Sequence, residues 1–346
     1  MKSVISAISL ASLFMAGNAV AMSKKPVEVP EPIASDATVR FIAIGDAGTG
    51  KDGQYKVAAA LKTVCEARGC DFAIGLGDNI YESGVSSTED EQWQTKFEQP
   101  YKDIDFPFYM ALGNHDNSFI GGAGLTNTKG ENQVDYHYKE NRTSDKWHMP
   151  ARYYTFNAPL NSNEQPLINF FALDSNPLAT LSDIRYEYWQ LPYKKKQAKW
   201  VDAEMEKATA KWKIAFAHHA FLSNGKHNNA GMYEGLPGMG LVYKNFLKDH
   251  VCDKVDFMVA GHDHDLQLLR PVQNCGKTVH MVSGAGAKTR ELKNRDRNKA
   301  YWQKDNTLGF FHFEIQGNQA TVSAYTVNSA NGEETMEYQR TFTRQD

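Results

Sequence analysis

Short apolar runs, many of them β-branched, alternate along this chain with stretches whose apolar positions recur every three to four residues. Residues 39–44 form such a run and stop at Gly45-Asp46, as a strand buried on both faces does. Residues 55–66 follow with Val57, Ala60, Leu61 and Val64 at helical spacing. Residues 72–76 are a second run, ending at Gly77-Asp78, and 108–112 a third, ending at Gly113-Asn114. Strand, helix, strand at this spacing predicts parallel pairing through right-handed crossovers. The second half repeats the design: a strand over 167–173, an amphipathic helix over 197–208, then strands over 213–216 and 255–260. These last two stop at Ala217-His218-His219 and at Gly261-His262. Residues 310–314 and 320–325 predict a closing antiparallel hairpin turning at Gln316-Gly317-Asn318. The Gly- and Asn-rich stretch 118–141 predicts a surface loop over the site.

Composition narrows the function without fixing it. At 346 residues, 41% hydrophobic, the chain can hold one large α/β domain or two ordinary ones. No shift in composition demands two, so a single domain over 38–346 is expected. A formal charge of −3 argues against broad nucleic-acid binding, which needs basic stripes. It leaves room for a small anionic substrate if bound cations supply local positive charge.

Lys2, the apolar run 4–15 and Ala19-Val20-Ala21 read as an export signal over 1–21, removed to leave a chain starting near Met22. Residues 22–37 then read as a flexible lead-in. An uncleaved anchor is the rival reading, but the run is short and broken by Ser6, Ser9 and Ser12. No other stretch approaches a membrane span, so the expected location is the periplasm or the exterior. Four cysteines suit such an oxidising compartment. Cys65 and Cys70 are close enough for a local loop, which would leave Cys252 with Cys275, yet four cysteines allow three pairings. Without any C-x-x-C, zinc binding is the weaker alternative.

The chemistry sits where the strands end. Five predicted strands each run into residues of metal-ligand type: Asp46; Asp78 with Tyr81; Asn114 with His115; His219; and His262 with His264. Singly, Asp46 and Asp78 read as turn residues, Asn114 as a helix cap and His219 as a structural histidine. Their recurrence at five carboxyl ends, where loops converge in α/β sheets, points to one site. Carboxylate, amide, phenol and imidazole donors suit iron, zinc or manganese rather than a soft ion. Even without His115, the seven remaining donors exceed what one ion takes from protein, so two metal ions are expected, with Asp78 the choice to bridge them.

The set Gly45-Asp46-Ala47-Gly48, Gly77-Asp78-Asn79-Ile80-Tyr81, Gly113-Asn114-His115-Asp116, His219 and Gly261-His262-Asp263-His264 resembles the purple acid phosphatases of the calcineurin-like metallophosphoesterase superfamily. Generic members carry Asp-x-His in the first motif; here Gly48 takes that histidine's place and Tyr81 supplies a ligand instead. Trp147-His148-Met149-Pro150, Asp174 and Gln197-x-x-Trp200 are similar to the small, mammalian-type branch.

The resemblance implies an α/β fold, a four-layer αββα sandwich of two mixed β-sheets flanked by helices. It implies that Asp46, Tyr81 and His264 bind ferric iron, that Asn114, His219 and His262 bind a divalent ion (iron, zinc or manganese), and that Asp78 bridges. A metal-bound hydroxide would attack the phosphorus of a small phosphate ester. His115 would contact the phosphate, and His227 would protonate the leaving alkoxide. At His219 the family motif continues with an aromatic residue and proline, whereas this chain has Ala220-Phe221, and His218 carries no assigned role. A phosphodiesterase or nucleotide pyrophosphatase, or an exported protein using its metals structurally, are the alternative functions.

Overall fold

A computed structural model describes residues 37–119, 126–160, 165–181 and 183–344. The expected export signal and nearly all of the lead-in lie outside the described residues. The strands are β1 (Thr38–Ile44), β2 (Phe72–Gly75), β3 (Phe108–Met110), β4 (Trp147–His148), β5 (Tyr154–Ala158), β6 (Ile168–Ala172) and β7 (Trp212–Phe216) in the first part of the chain. The remainder are β8 (Phe257–Ala260), β9 (Leu266–Leu269), β10 (Val279–Ser283), β11 (Ala300–Lys304), β12 (Leu308–Gln316), β13 (Gln319–Val327) and β14 (Glu334–Thr343). The α-helices are α1 (Asp52–Arg68), α2 (Asn114–Asn117), α3 (Glu131–Tyr138), α4 (Asn176–Ala179), α5 (Gln190–Lys207) and α6 (Leu241–His250).

Two mixed sheets of seven strands result, ordered β14-β13-β12-β1-β2-β3-β4 and β11-β9-β10-β8-β7-β6-β5. The predicted parallel pairings are present, β1 with β2, β2 with β3, β6 with β7 and β7 with β8. The closing hairpin is β12 and β13, in register from Leu308↔Val327 to Gln316↔Gln319 around Gly317.

Period-two alternation explains the layering. Phe170, Ile214, Phe216, Phe257 and Val259 join the core between the sheets, where Phe41 of β1 meets Phe170 of β6 edge to face at 5.2 Å. Their neighbours Phe171, Ala215 and Met258 point the other way, into a second core shared with Val201 of α5 and Phe246 and Leu247 of α6. Helix α1 lies against β12 and β13 of the first sheet. Helices outside two facing sheets give the four-layer αββα sandwich that the resemblance implied.

Three expectations change. The surface loop over 118–141 contains α3, which buries Gln133 and Tyr136 three residues apart, and the preceding Asn127 is also buried. Glycine and asparagine on either side hid that short amphipathic turn. Helix α5 begins at Gln190, seven residues before the predicted start, because Pro192 sits in its first turn, where no intrahelical N–H is lost. Strands β4, β5, β9, β10, β11 and β14 had no predicted counterpart; two-residue β4 is too short for a period, and β14 is mostly solvent-facing.

The cysteines pair as Cys65–Cys70 and Cys252–Cys275. Among the described residues no helix is long and apolar enough to cross a membrane.

Candidate metal centre

The loops after β1, β2, β3, β7 and β8 meet at one edge of the sandwich. Asp46, Asp78 and His262, at three of these strand ends, all adopt left-handed backbone (φ of 58°, 52° and 71°). Non-glycine residues pay for that conformation, and they keep it where surrounding contacts impose it. Here the Asp46 N–H donates to Gly77 O at 3.0 Å, and the His262 N–H donates to Asp46 Oδ2 at 2.8 Å. The strand-end turns are thus bonded to one another.

Close backbone approach fixes the glycines between them. A Cβ on Gly48 would lie 1.7 Å from Asn79 O, so no side chain can stand there, and the Tyr81 N–H donates to Gly48 O at 2.9 Å. The vacancy at position 48 and the tyrosine at 81 are therefore one packing feature. Asp116 ties the next loop in: its carboxylate accepts from the N–H groups of Asn79, Ile80 and Gly113 and from Gln133. Burial, with the neighbouring Asp78, pushes the Asp116 carboxyl up to about 6.

The donors fall into two groups. Tyr81 Oη lies 3.0 Å from Asp46 Oδ1 and 3.2 Å from His264 Nε2, and His264 Nε2 lies 3.4 Å from Asp46 Oδ1. In the second group, His218 Nε2 lies 2.9 Å from Asn114 Oδ1 and 3.0 Å from His262 Nδ1. Asp78 serves both, with Oδ1 3.4 Å from His218 Nε2 and its carboxylate within hydrogen-bonding reach of the Tyr81 hydroxyl. Ligand atoms about 2.0–2.2 Å from one cation stand about 3 Å apart at right angles, so each group has the spacing of a coordination shell. These residues fit two cations of the hard or borderline kind.

Electrostatics agree. Burial first, then Asp46 and Asp78, push the Tyr81 hydroxyl well above its usual pKa, so a phenolate there needs a strongly charged cation. Burial works to raise Asp78, but His218 and His115 outweigh it and hold the carboxyl at about 2. Burial works to lower His218, yet Asp78 and Asp46 prevail and raise it. That proton is the one a bound cation would displace.

His219 is placed differently from the sequence expectation's second-ion set. Its Nδ1 lies 2.8 Å from Ser175 Oγ, which also accepts the His219 N–H at 3.1 Å. The ring lines the adjoining pocket and lies 4.5 Å from that of His262. His218, by contrast, turns Nδ1 to Leu76 O at 2.9 Å. A carbonyl can only accept, so Nδ1 carries a proton and Nε2 faces Asn114 and His262; orientation of a ligating imidazole by its second nitrogen is the usual arrangement. Strand-end spacing carried the signal: Asp46, His218 and His262 each lie two residues beyond the last strand residue.

His115 and His227 both line the pocket beside this cluster. His115 Nδ1 is held by Glu82 O at 2.6 Å, leaving Nε2 available, 3.9 Å from Asp78 Oδ2. His227 is engaged on both sides. Its Nδ1 meets Glu234 Oε1, and its Nε2 accepts from Arg290 Nη1 at 2.7 Å. An arginine never accepts, so in this arrangement the ring proton is on Nδ1. Glu234, Arg290 and Lys288 were not singled out from sequence. Lys288 stands with Nζ 3.4 Å from the centre of the Tyr81 ring.

Residues 39–266 match the calcineurin-like phosphoesterase family. Purple acid phosphatase 3 of Arabidopsis thaliana is 28% identical over 270 residues, 75% of this chain and 66% of the plant protein. Tartrate-resistant acid phosphatase type 5 of Mus musculus is 26% identical over 310 residues, 84% of this chain and 87% of the mouse protein. The solved structure of GAP50, the anchor in the inner membrane complex of Plasmodium, is similar in fold with a TM-score of 0.69 at 20% identity, covering 89% of this chain and 90% of that one. A dimetal phosphatase from Danio rerio gives 0.54 at 12% identity, over 88% and 98%. The family match spans well over half the sequence and contains every strand-end donor described above, so the chain belongs to the calcineurin-like phosphoesterase family.

Proposed function

We propose that the chain is an exported acid phosphatase that hydrolyses phosphomonoesters at a two-metal centre. The observation that carries this reading is the pair of donor groups, Asp46/Tyr81/His264 and Asn114/His218/His262, joined by Asp78. His218 takes the place that sequence reasoning gave to His219, and His219 becomes part of the pocket wall. Bound there, the cations supply Lewis acidity and a nucleophile that water alone lacks at acidic pH.

The chain's own residues do the rest. Asp78 holds the two groups together, and His115, oriented by Glu82 O, turns Nε2 toward the phosphate oxygens. His227 and Arg290 place a second imidazole and a guanidinium beside them, with Glu234 holding the imidazole proton at Nδ1. Release of Nε2 by Arg290 would free His227 to serve the leaving oxygen. The test is turnover of a chromogenic phosphomonoester by metal-replete protein. Absence of turnover from acidic to neutral pH sinks the reading.

Tyr81 makes one of the two ions ferric iron in this proposal, since a phenol among carboxylates ionises readily only against a highly charged cation. Two spectroscopic outcomes are expected. Tyr81→Phe abolishes the visible charge-transfer band. Lys288→Met moves that band to longer wavelength, because removing a cation from over the ring raises the energy of the phenolate electrons. A purified protein without iron, or a band unchanged in Tyr81→Phe, contradicts the iron assignment.

A further inference from the structure

The pocket beside the histidines has a volume of about 320 Å³, and part of its wall carries no polar chemistry. Ala179, Leu181 and Met239 line it together with Tyr233, whose hydroxyl donates to Ala220 O and is thereby spent. Outward from this wall, exposed large apolar side chains recur among the polar residues of the loop. Leu181 (52% exposed), Ile184 (82%), Tyr186 (64%), Trp189 and Leu191 (70%) follow directly on Ala179. Met232, Leu236 and Leu241 flank Tyr233 and Met239.

Among the described residues twelve large apolar side chains are exposed, and eight of them fall in 181–191 and 232–241, the two segments that supply this wall. Scattered single exposures need no explanation, but concentration beside a ligand pocket does. The charged groups that these two segments themselves carry have partners within the chain. Arg185 stands 3.8 Å from Glu187, Asp183 is buried against Asn127, and Glu234 is held by His227. The residues lining the cavity include the Glu234 carboxylate but, among the described residues, no lysine or arginine, and Arg290 reaches it only at the His227 end.

We propose that this site selects phosphomonoesters whose leaving group is an extended apolar chain, laid along Leu181 and Met239 while the phosphate occupies the metal end. This deepens, and rests on, the phosphomonoesterase reading. Apolar burial is the same in ground and transition states, so the preference is expected in KM rather than kcat.

The test is a series of monomeric ethyl, butyl, hexyl and octyl phosphates offered to the metal-replete protein. The expected result is a kcat/KM that rises along the series by up to about fourfold per methylene, the limit for complete burial. In Leu181→Ser and Met239→Ser the octyl-to-ethyl ratio is expected to shrink. Because the ratio is taken within each variant, the fraction of folded protein cancels. A series that is flat or falls with chain length overturns the inference while leaving a phosphatase. Zero turnover on every ester, ethyl included, overturns the phosphatase reading and this inference with it.

Discussion

His218→Ala is expected to lower kcat/KM on a phosphomonoester by about three orders of magnitude, and to leave the purified protein with one bound metal ion in place of two. The substitution removes the nitrogen that Asn114 Oδ1 and His262 Nδ1 both face at about 3 Å. It also removes the imidazole that helps hold the buried Asp78 ionised. A catalytic cation stabilises transition-state charge by several kcal/mol, and each ~1.4 kcal/mol is tenfold in rate.

His219→Ala is the matched comparison. Its ring is tied to Ser175 and contributes to the pocket wall, so two ions should remain bound. The activity loss should stay within the roughly 10–100-fold typical of groups outside the ligand set. Elemental analysis decides between the two. A His219→Ala protein that loses an ion while His218→Ala keeps both would return the assignment to His219. Without metal analysis, rates alone could not separate a lost ligand from a deformed pocket.

The adjacent histidines show what the sequence could and could not convey. Five strand ends carrying Asp46, Asp78, Asn114, a histidine and His262 were legible because a buried parallel strand leaves a clear signature and its end is where loops converge. Which of two neighbouring histidines points inward is a matter of strand register, and a one-residue slip exchanges the faces. Strand β7 ends at Phe216, which puts His218 as far past its strand as Asp46 and His262 stand past theirs. Lys288, Arg290 and Glu234 were illegible for another reason. They reach the site from loops far along the chain, without periodicity, and only the folded path brings Lys288 over Tyr81 or Arg290 to His227.

The inter-sheet core was read well where it consists of continuous apolar runs, as in β1, β6 and β8, and poorly where strands are short or solvent-facing. Helix α3 fell between: Gln133 and Tyr136 pack inward, but a buried glutamine does not register as an apolar position, although its amide holds Asn79 and Asp116. Polar residues that build the support of the site are, by their nature, the ones a hydrophobic pattern omits.

Arg152 is the clearest case of such support, and its removal is expected to be the most damaging change away from the donors. Its guanidinium is nearly buried and donates to Asp174 Oδ2 at 2.7 Å, to Asn117 Oδ1 at 2.7 Å and to Asn127 O at 2.9 Å. One side chain thus links the end of β6, the end of the helix that carries Asn114 and His115, and the segment leading into α3. Tyr193 of α5 shares the same Asp174 oxygen at 2.6 Å.

Arg152→Met would leave the fully buried Asp174 without its cation. Breaking a buried pair by removing one partner costs about 3–5 kcal/mol. For a chain of this size that corresponds to a Tm lower by roughly 10 °C. Denaturant unfolding of the single variants and of Arg152→Met with Asp174→Leu provides the check. Because the cost comes from the stranded charge, the double variant should be more stable than Arg152→Met alone, a non-additivity that a cycle measures directly. If the single variant loses under about 1 kcal/mol, or the double loses the sum of both singles, the pair is not what holds these segments together. In the expected case kcat/KM falls with stability in Arg152→Met, since Asn117 closes the helix on which His115 is mounted.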